Sequence, residues 1–186
     1  MRRFLPVLML LAACQGRGSG QLVARWIGPE DTTSFRAPVT ASLCGAKQRL
    51  DLLALRGDSG IGLALYPVDS AKLAAVYTVT EPGGPIQIRP GAGVAIRWFG
   101  KTAVEGFWGR QGTVTVTQDK RGRVGVAIDA MLVSSVLGGP ALALTGSASG
   151  IPIAVDTTCA AAETPSVPGP AVPGPTRPDS APREID

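Results

Sequence analysis

Two segments near the middle of the chain set its fold class. In Gly112–Gln118, Val114 and Val116 alternate with Thr113, Thr115 and Thr117, and in Arg123–Leu132, Val124, Val126 and Ile128 keep the same spacing. A period of two sends successive side chains to opposite faces of a strand. Asp119–Gly122 supplies turn residues between them, so the pair reads as an antiparallel hairpin. The pattern recurs along the chain. Phe35, Ala37, Val39, Ala41 and Leu43 are apolar at every second position. Arg49–Arg56 and Ile61–Val68 are joined by Gly57-Asp58-Ser59-Gly60, a second hairpin signal. Further strands are expected at Val76–Thr80, at Ile86–Arg89 and Val94–Phe99 around a turn at Pro90-Gly91-Ala92-Gly93, and at Ala141–Thr145 and Ile151–Val155 around a Gly-Ser-Ala-Ser-Gly loop. Helical period is confined to one expected turn at Ser70–Ala75, capped by Asp69. The fold class is therefore all-β. The expected architecture is a single antiparallel β-sandwich of about 9–10 short strands, with a closed β-barrel as the alternative. A transmembrane barrel is disfavoured, because most of these strands are short and aromatics are only 5% of the chain.

The start of the chain carries a different message. Met1-Arg2-Arg3 precedes the apolar stretch Phe4–Ala13, which is well short of the roughly 20 residues needed to span a bilayer. A charged start, a short apolar core and a small-residue end are the parts of a secretory signal. The run Leu11-Ala12-Ala13-Cys14 resembles the lipobox of bacterial lipoproteins at all four positions. The resemblance covers residues 1–15 alone. It implies cleavage before Cys14, a diacylglycerol on the Cys14 sulfur and an acylated new amino terminus. Two or three acyl chains hold a protein at a membrane where one does so only marginally. Gln15 follows the cysteine rather than Asp. In Gram-negative lipoproteins that implies sorting to the outer membrane.

This divides the chain into a signal peptide (1–13), a Gly- and Ser-rich tether (14–21), a folded domain (22–159) and a tail (160–186) with seven prolines. The tail's Val-Pro-Gly-Pro-Ala-Val-Pro-Gly-Pro run cannot build a core and is expected to be extended or disordered. Once Cys14 is given to lipid, Cys44 and Cys159 remain. An even pair in an oxidising compartment reads as one disulfide, which would bring the strand at 35–43 beside, or across from, the strand at 151–155. A zinc site lacks ligands, since the chain has no histidine.

Charge and motifs narrow the function classes. The formal charge is +4, and two of those positive charges, Arg2 and Arg3, leave with the signal. The only basic knot is Lys120-Arg121-Gly122-Arg123, which fits a solvated turn better than a phosphate site, and no nucleic-acid partner is expected. Gly57-Asp58-Ser59-Gly60 resembles the nucleophile loop of chymotrypsin-like serine proteases, but a serine needs a base and that family uses histidine. Arg56-Gly57-Asp58 is an integrin-type tripeptide of ordinary turn composition. Acidic residues stand singly apart from Glu30-Asp31, which gives no calcium loop. No cofactor and no metal is expected. The one segment with binding character is Trp98–Trp108, where two aromatic pairs, Trp98-Phe99 and Phe107-Trp108, bracket a polar connection. One member of each pair should face away from the core and offer a patch to a protein or carbohydrate partner. The expected function is a membrane-anchored cell-envelope lipoprotein with a non-catalytic structural or binding domain. The alternatives are a carboxylate-dependent hydrolase and a carrier of an apolar ligand within a barrel.

Overall fold

The computed structural model describes residues 20–28, 32–82, 88–100 and 103–159. The signal, Cys14, the tether up to residue 19, Glu30-Asp31, Ile86 and the tail lie outside the described residues. The described residues form ten strands: β1 (Gln21–Ile27), β2 (Thr32–Cys44), β3 (Arg49–Arg56), β4 (Ser59–Tyr66), β5 (Ala75–Val79), β6 (Gly91–Phe99), β7 (Val104–Gln118), β8 (Val124–Ser134), β9 (Ala141–Ile151) and β10 (Ile153–Val155). The all-β class holds. Where one helical turn was expected, the Asp69 carboxylate accepts the Ala71 N–H at 2.8 Å and its carbonyl accepts the Lys72 N–H at 3.0 Å, forming a turn instead.

The sheet is a closed barrel rather than a sandwich. Its order runs β1-β9-β8-β7-β5-β6-β4-β3-β2, and β2 pairs back onto β1. The closing strand is β1, which pairs with β2 from Gln21↔Pro38 to Ile27↔Thr32 and with β9 from Val23↔Ser147 to Ile27↔Ala143. Closure of this kind removes both sheet edges. The sheet is also mixed rather than purely antiparallel, because β5 lies parallel to β6 and β10 parallel to β2. The expected loop at 146–150 is part of β9, whose strand continues to Ile151. Small residues are needed there: a side chain at Gly146 would begin 2.9 Å from the Ala24 methyl. The expected turn at Pro90–Gly93 is likewise displaced, since β6 already begins at Gly91.

Two ends can be distinguished. The lower end holds Gly20, where the described chain begins, and Cys159, where it stops. It also carries the β2–β3 and β7–β8 turns. The upper end carries the β1–β2, β3–β4, β6–β7 and β8–β9 connections. β5 enters the ring only at the lower end. There β7 pairs with it through Thr113–Val116, whereas at the upper end β7 pairs directly with β6 through Val104–Trp108. β7 changes partner across a register shift between Gly109 and Gln111. Gly112 follows at φ +123°, and a side chain there would begin 2.3 Å from the Asp129 carbonyl oxygen, so this bend requires glycine.

Alternation fills the barrel. Leu22, Phe35, Leu50, Leu65, Tyr77, Val114, Leu132 and Leu144, among others, point inward and are buried. The Tyr77 hydroxyl, deep in that core, donates to the Leu73 carbonyl at 2.8 Å, and burial raises its pKa. The outer face mixes charged residues such as Arg25, Arg36, Arg97 and Asp129 with exposed apolar ones such as Val23, Ile27 and Leu53. The apolar interior differs from the polar lumen of a membrane-spanning barrel.

The last strand confirms the link between the cysteines. Cys44 and Cys159 form a disulfide with Cα atoms 5.9 Å apart. Beside it, β10 pairs with β2 from Ile153↔Ala41 to Val155↔Leu43, so the strands at 35–43 and 151–155 are neighbours.

Candidate functional site

The four aromatics of the β6–β7 hairpin do not share one face. Trp98 follows Ala92, Val94 and Ile96 in phase and faces the barrel mouth. There it stacks edge-on against Trp26 at 5.1 Å, and Trp26 lies 6.2 Å from Phe35. The Arg56 guanidinium sits 5.3 Å from the Phe35 ring and 5.7 Å from the Trp98 ring, a cation–π cover over the plug. Phe107 is buried in the core, opposite Ile96. Phe99 and Trp108 point outward instead. Phe99 carries the Arg97 guanidinium at 4.8 Å. Trp108 is opposite Ala95, and the Arg97↔Gly106 row stands between Trp108 and Phe99. The expected single patch is thus divided. Trp98 lies at the barrel mouth, Phe107 in the core, and the other two stand apart outside.

Other sequence candidates resolve as structure. The buried Ser59 hydroxyl accepts the Phe99 N–H at 3.0 Å, which ties the β3–β4 turn to β6. Arg56 of the Arg-Gly-Asp tripeptide lies over the plug. In the basic turn, the Asp119 carboxylate accepts N–H bonds from Arg121 and Arg123 at 2.8 and 2.9 Å, and it pairs with the Arg123 guanidinium at 2.9 Å. No group of three or more metal-ligating side chains occurs among the described residues.

A concavity lies on the outside of the barrel, and the sequence reading missed it. Gly62 and Ala64 of β4 and Gly93 and Ala95 of β6 face outward. They are register neighbours, with Gly62 opposite Ala95 and Ala64 opposite Gly93. Four small residues side by side leave a hollow where longer side chains would stand. Leu53 and Asp51 of β3 form one wall and Tyr66 stands at the lower end. Thr80-Glu81-Pro82 forms the other side. Thr80 donates to the Ala92 carbonyl at 2.9 Å as the chain leaves β5. The groove measures about 460 Å³, within the range of small-molecule and peptide sites. Both carboxylates on its rim have arginine partners. Asp51 pairs with Arg49 at 2.8 Å, and Glu81 with Arg110 at 3.4 Å. The signal for this site was present, as small residues alternating with Ile61, Leu63, Leu65, Ala92, Val94 and Ile96. It becomes readable only when the register places β4 beside β6.

The interior is different. The void bounded by Leu22, Val39, Leu52, Ala54, Ile61, Leu63 and Val126 is about 10 Å³, room for about one water. The inward side chains therefore pack closely around this void.

Comparison with family profiles, with curated proteins and with solved structures gives no match for this chain.

Proposed function

We propose that this chain is a cell-envelope lipoprotein, held at the outer membrane by lipid on Cys14, whose barrel is a non-catalytic binding module. The observation that carries the reading is an apolar hollow built on the outside of the barrel. The small outward residues of β4 and β6 gain nothing for the core. They make sense as a surface shaped for something to lie on. The anchor fits this geometry. Gly20 is at the lower end, six residues beyond Cys14, which an extended chain spans in about 20 Å. A lipid on Cys14 leaves the flank of the barrel, where the groove opens, free beside the membrane.

A second reading follows from Asp51 and Glu81, two carboxylates on one groove, the minimum for a hydrolase acting on glycosides. Each is already engaged by an arginine, and the binding reading uses the apolar floor that a hydrolase does not need.

Two measurements test the proposal. Metabolic labelling with a palmitate analogue should mark the wild type and not Cys14→Ser. Equal labelling of both removes the anchor. For the groove, the soluble mature chain carrying Cys14→Ser is titrated with the apolar dye anilinonaphthalene sulfonate. Ala64→Trp, which fills the floor, should abolish the saturable part of the fluorescence rise. Undiminished binding in that variant rejects the groove as the binding surface. Hydrolysis of a glycan that Glu81→Gln abolishes while dye binding persists would favour the second reading.

A further inference from the structure

We propose that the lower end of the barrel is a docking face for an anionic phospholipid surface, so that the domain stands on the membrane to which the Cys14 lipid holds it. This rests on the anchor of the proposed function and adds a contact made by the folded domain itself. Three observations lead to it.

The first is where the charge sits. Lys47 lies in the β2–β3 turn, Lys72 in the β4–β5 connection, Arg89 just before β6, and Lys120 and Arg121 in the β7–β8 turn. All five are exposed, and among the described residues none of them is in an ion pair. The two other cations of this end, Arg49 and Arg123, are paired with Asp51 and Asp119. Asp69 and Asp156 are left to oppose the five, and both carboxylates already accept N–H bonds inside their own turns. The lower end thus has seven basic against four acidic residues, while the remaining described residues have five against four. Most of the positive excess is gathered at one end. The basic turn at 120–123 is by itself a solvated turn. It becomes part of a face through its company with three other connections around the same rim.

The second is that much of this rim is tied into one surface. The Arg89 guanidinium donates to the Gln48 side chain at 2.6 Å and to the Pro67 carbonyl at 3.4 Å. It thereby joins the entry to β6 to both the β2–β3 turn and the β4–β5 connection. Leu73 of that connection turns into the core, while its neighbour Lys72 stays exposed. Val68 and Ile88, on the same two connections as Lys72 and Arg89, are exposed as well. Cations interleaved with a few apolar side chains suit the headgroup boundary of a bilayer, which accommodates both.

The third is where the anchor enters. Gly20 lies at this end, six residues after Cys14. A tether of that length keeps the lower end within about 20 Å of the bilayer surface. Tethering raises the effective concentration of the face at the membrane, so a weak attraction is enough to hold it down. The groove on the flank then stands clear of the headgroups.

The test uses the full mature chain carrying Cys14→Ser, so that the face is read without the lipid, in sedimentation with vesicles at low salt. The chain should pellet with vesicles that mix phosphatidylglycerol into phosphatidylcholine and stay in solution with phosphatidylcholine alone. Added salt should release it, because exposed charges are screened. Each cation that reaches an anionic surface tightens binding about fivefold, so Lys72→Gln, Lys120→Gln and Arg121→Gln together should weaken it more than about tenfold. Arg25→Gln, Arg36→Gln and Arg97→Gln remove the same charge from the barrel wall and should change it less than about twofold, since screened attraction is short-ranged. No pelleting with the mixed vesicles, equal pelleting with both kinds, or equal losses in the two triple variants would overturn the docking face. Palmitate labelling reads the anchor separately. If labelling fails while the soluble chain still distinguishes the vesicles as described, the face stands and the anchor is lost. If labelling holds and the vesicles are not distinguished, the lipid alone holds the chain and the face is rejected.

Discussion

The two ends of the barrel are closed by different means. At the upper end, side chains do it. Trp26, Phe35 and Trp98 meet ring to ring under Arg56, and the hairpin tips around them are left with exposed apolar residues such as Val136 and a fully exposed Leu137. At the lower end, the chain itself does it. β5 wedges between β6 and β7, β10 lies along β2, and the disulfide binds the last described residue to the end of β2. Arg89 donates to Gln48 at 2.6 Å, and the turns are tied by Asp119 and Asp156. Hydrogen bonds tie turns at both ends, but the upper closure centres on aromatic packing and the lower adds a covalent link. The groove and the root of the tail belong to the lower, stapled half.

The contrast predicts a hierarchy of damage. Trp26→Ala should cost the most, about 4 kcal/mol in chemical denaturation, because a buried indole leaves a cavity at the mouth. Trp108→Ala, an outward, only partly buried indole of the same size, should cost much less, and near-equal losses would show that the plug has no special weight. Next comes the staple. Replacing Cys44 and Cys159 together by Ala should lower stability by about 3 kcal/mol and raise hydrogen exchange in β10 before β1. Uniform loosening of both ends would break the distinction drawn here. Gly112→Ala should follow at about 2 kcal/mol, from a positive φ and a clash with the β8 backbone. Its damage should spread to β5, which pairs with β7 just beyond the bend.

The sequence exposed the strands with one polar face and concealed those that close the ring. β2, β7 and β8 alternate cleanly, and turn residues paired β7 with β8 and β3 with β4. β1 could not be read this way, because its outward Val23 and Ile27 are as apolar as its inward Leu22, Ala24 and Trp26. The second half of β9, 146–150, resembled a loop because the seam against β1 has no room for a side chain at Gly146. Those are the two strands that turn an open sheet into a barrel, which is why a sandwich looked the better fit. The groove was hidden for a related reason. Its floor consists of residues that carry no chemistry of their own, and they gain meaning only when β4 and β6 are set side by side. The disulfide was legible from cysteine count and compartment, since neither argument needs topology.

The smallest effect expected is also the most selective. Asp119 and Asp156 both have pKa values lowered below the ordinary carboxylate range. For Asp119 the first cause is the Arg123 backbone N–H, followed in part by the Arg123 side chain. For Asp156 it is the Thr158 hydroxyl and then its N–H, at 2.7 and 2.8 Å. A carboxylate whose native pKa is lowered contributes stability that is full above its ordinary value of about 3.9. That contribution fades as pH falls through the lower native value. Both groups tie lower-end turns. Acid should therefore loosen that end first. On titration from pH 5 downward, the amide signals of Arg121, Arg123 and Thr158 should move together with the two carboxyl carbons, below the ordinary carboxylate midpoint. The indole signals of Trp26 and Trp98 should stay fixed across the same range. Asp119→Asn should erase the acid-dependent shift at Arg121 and Arg123 and leave that at Thr158. If the indoles move in step with the turns, the two ends are one cooperative unit and their different closures carry no separate stability.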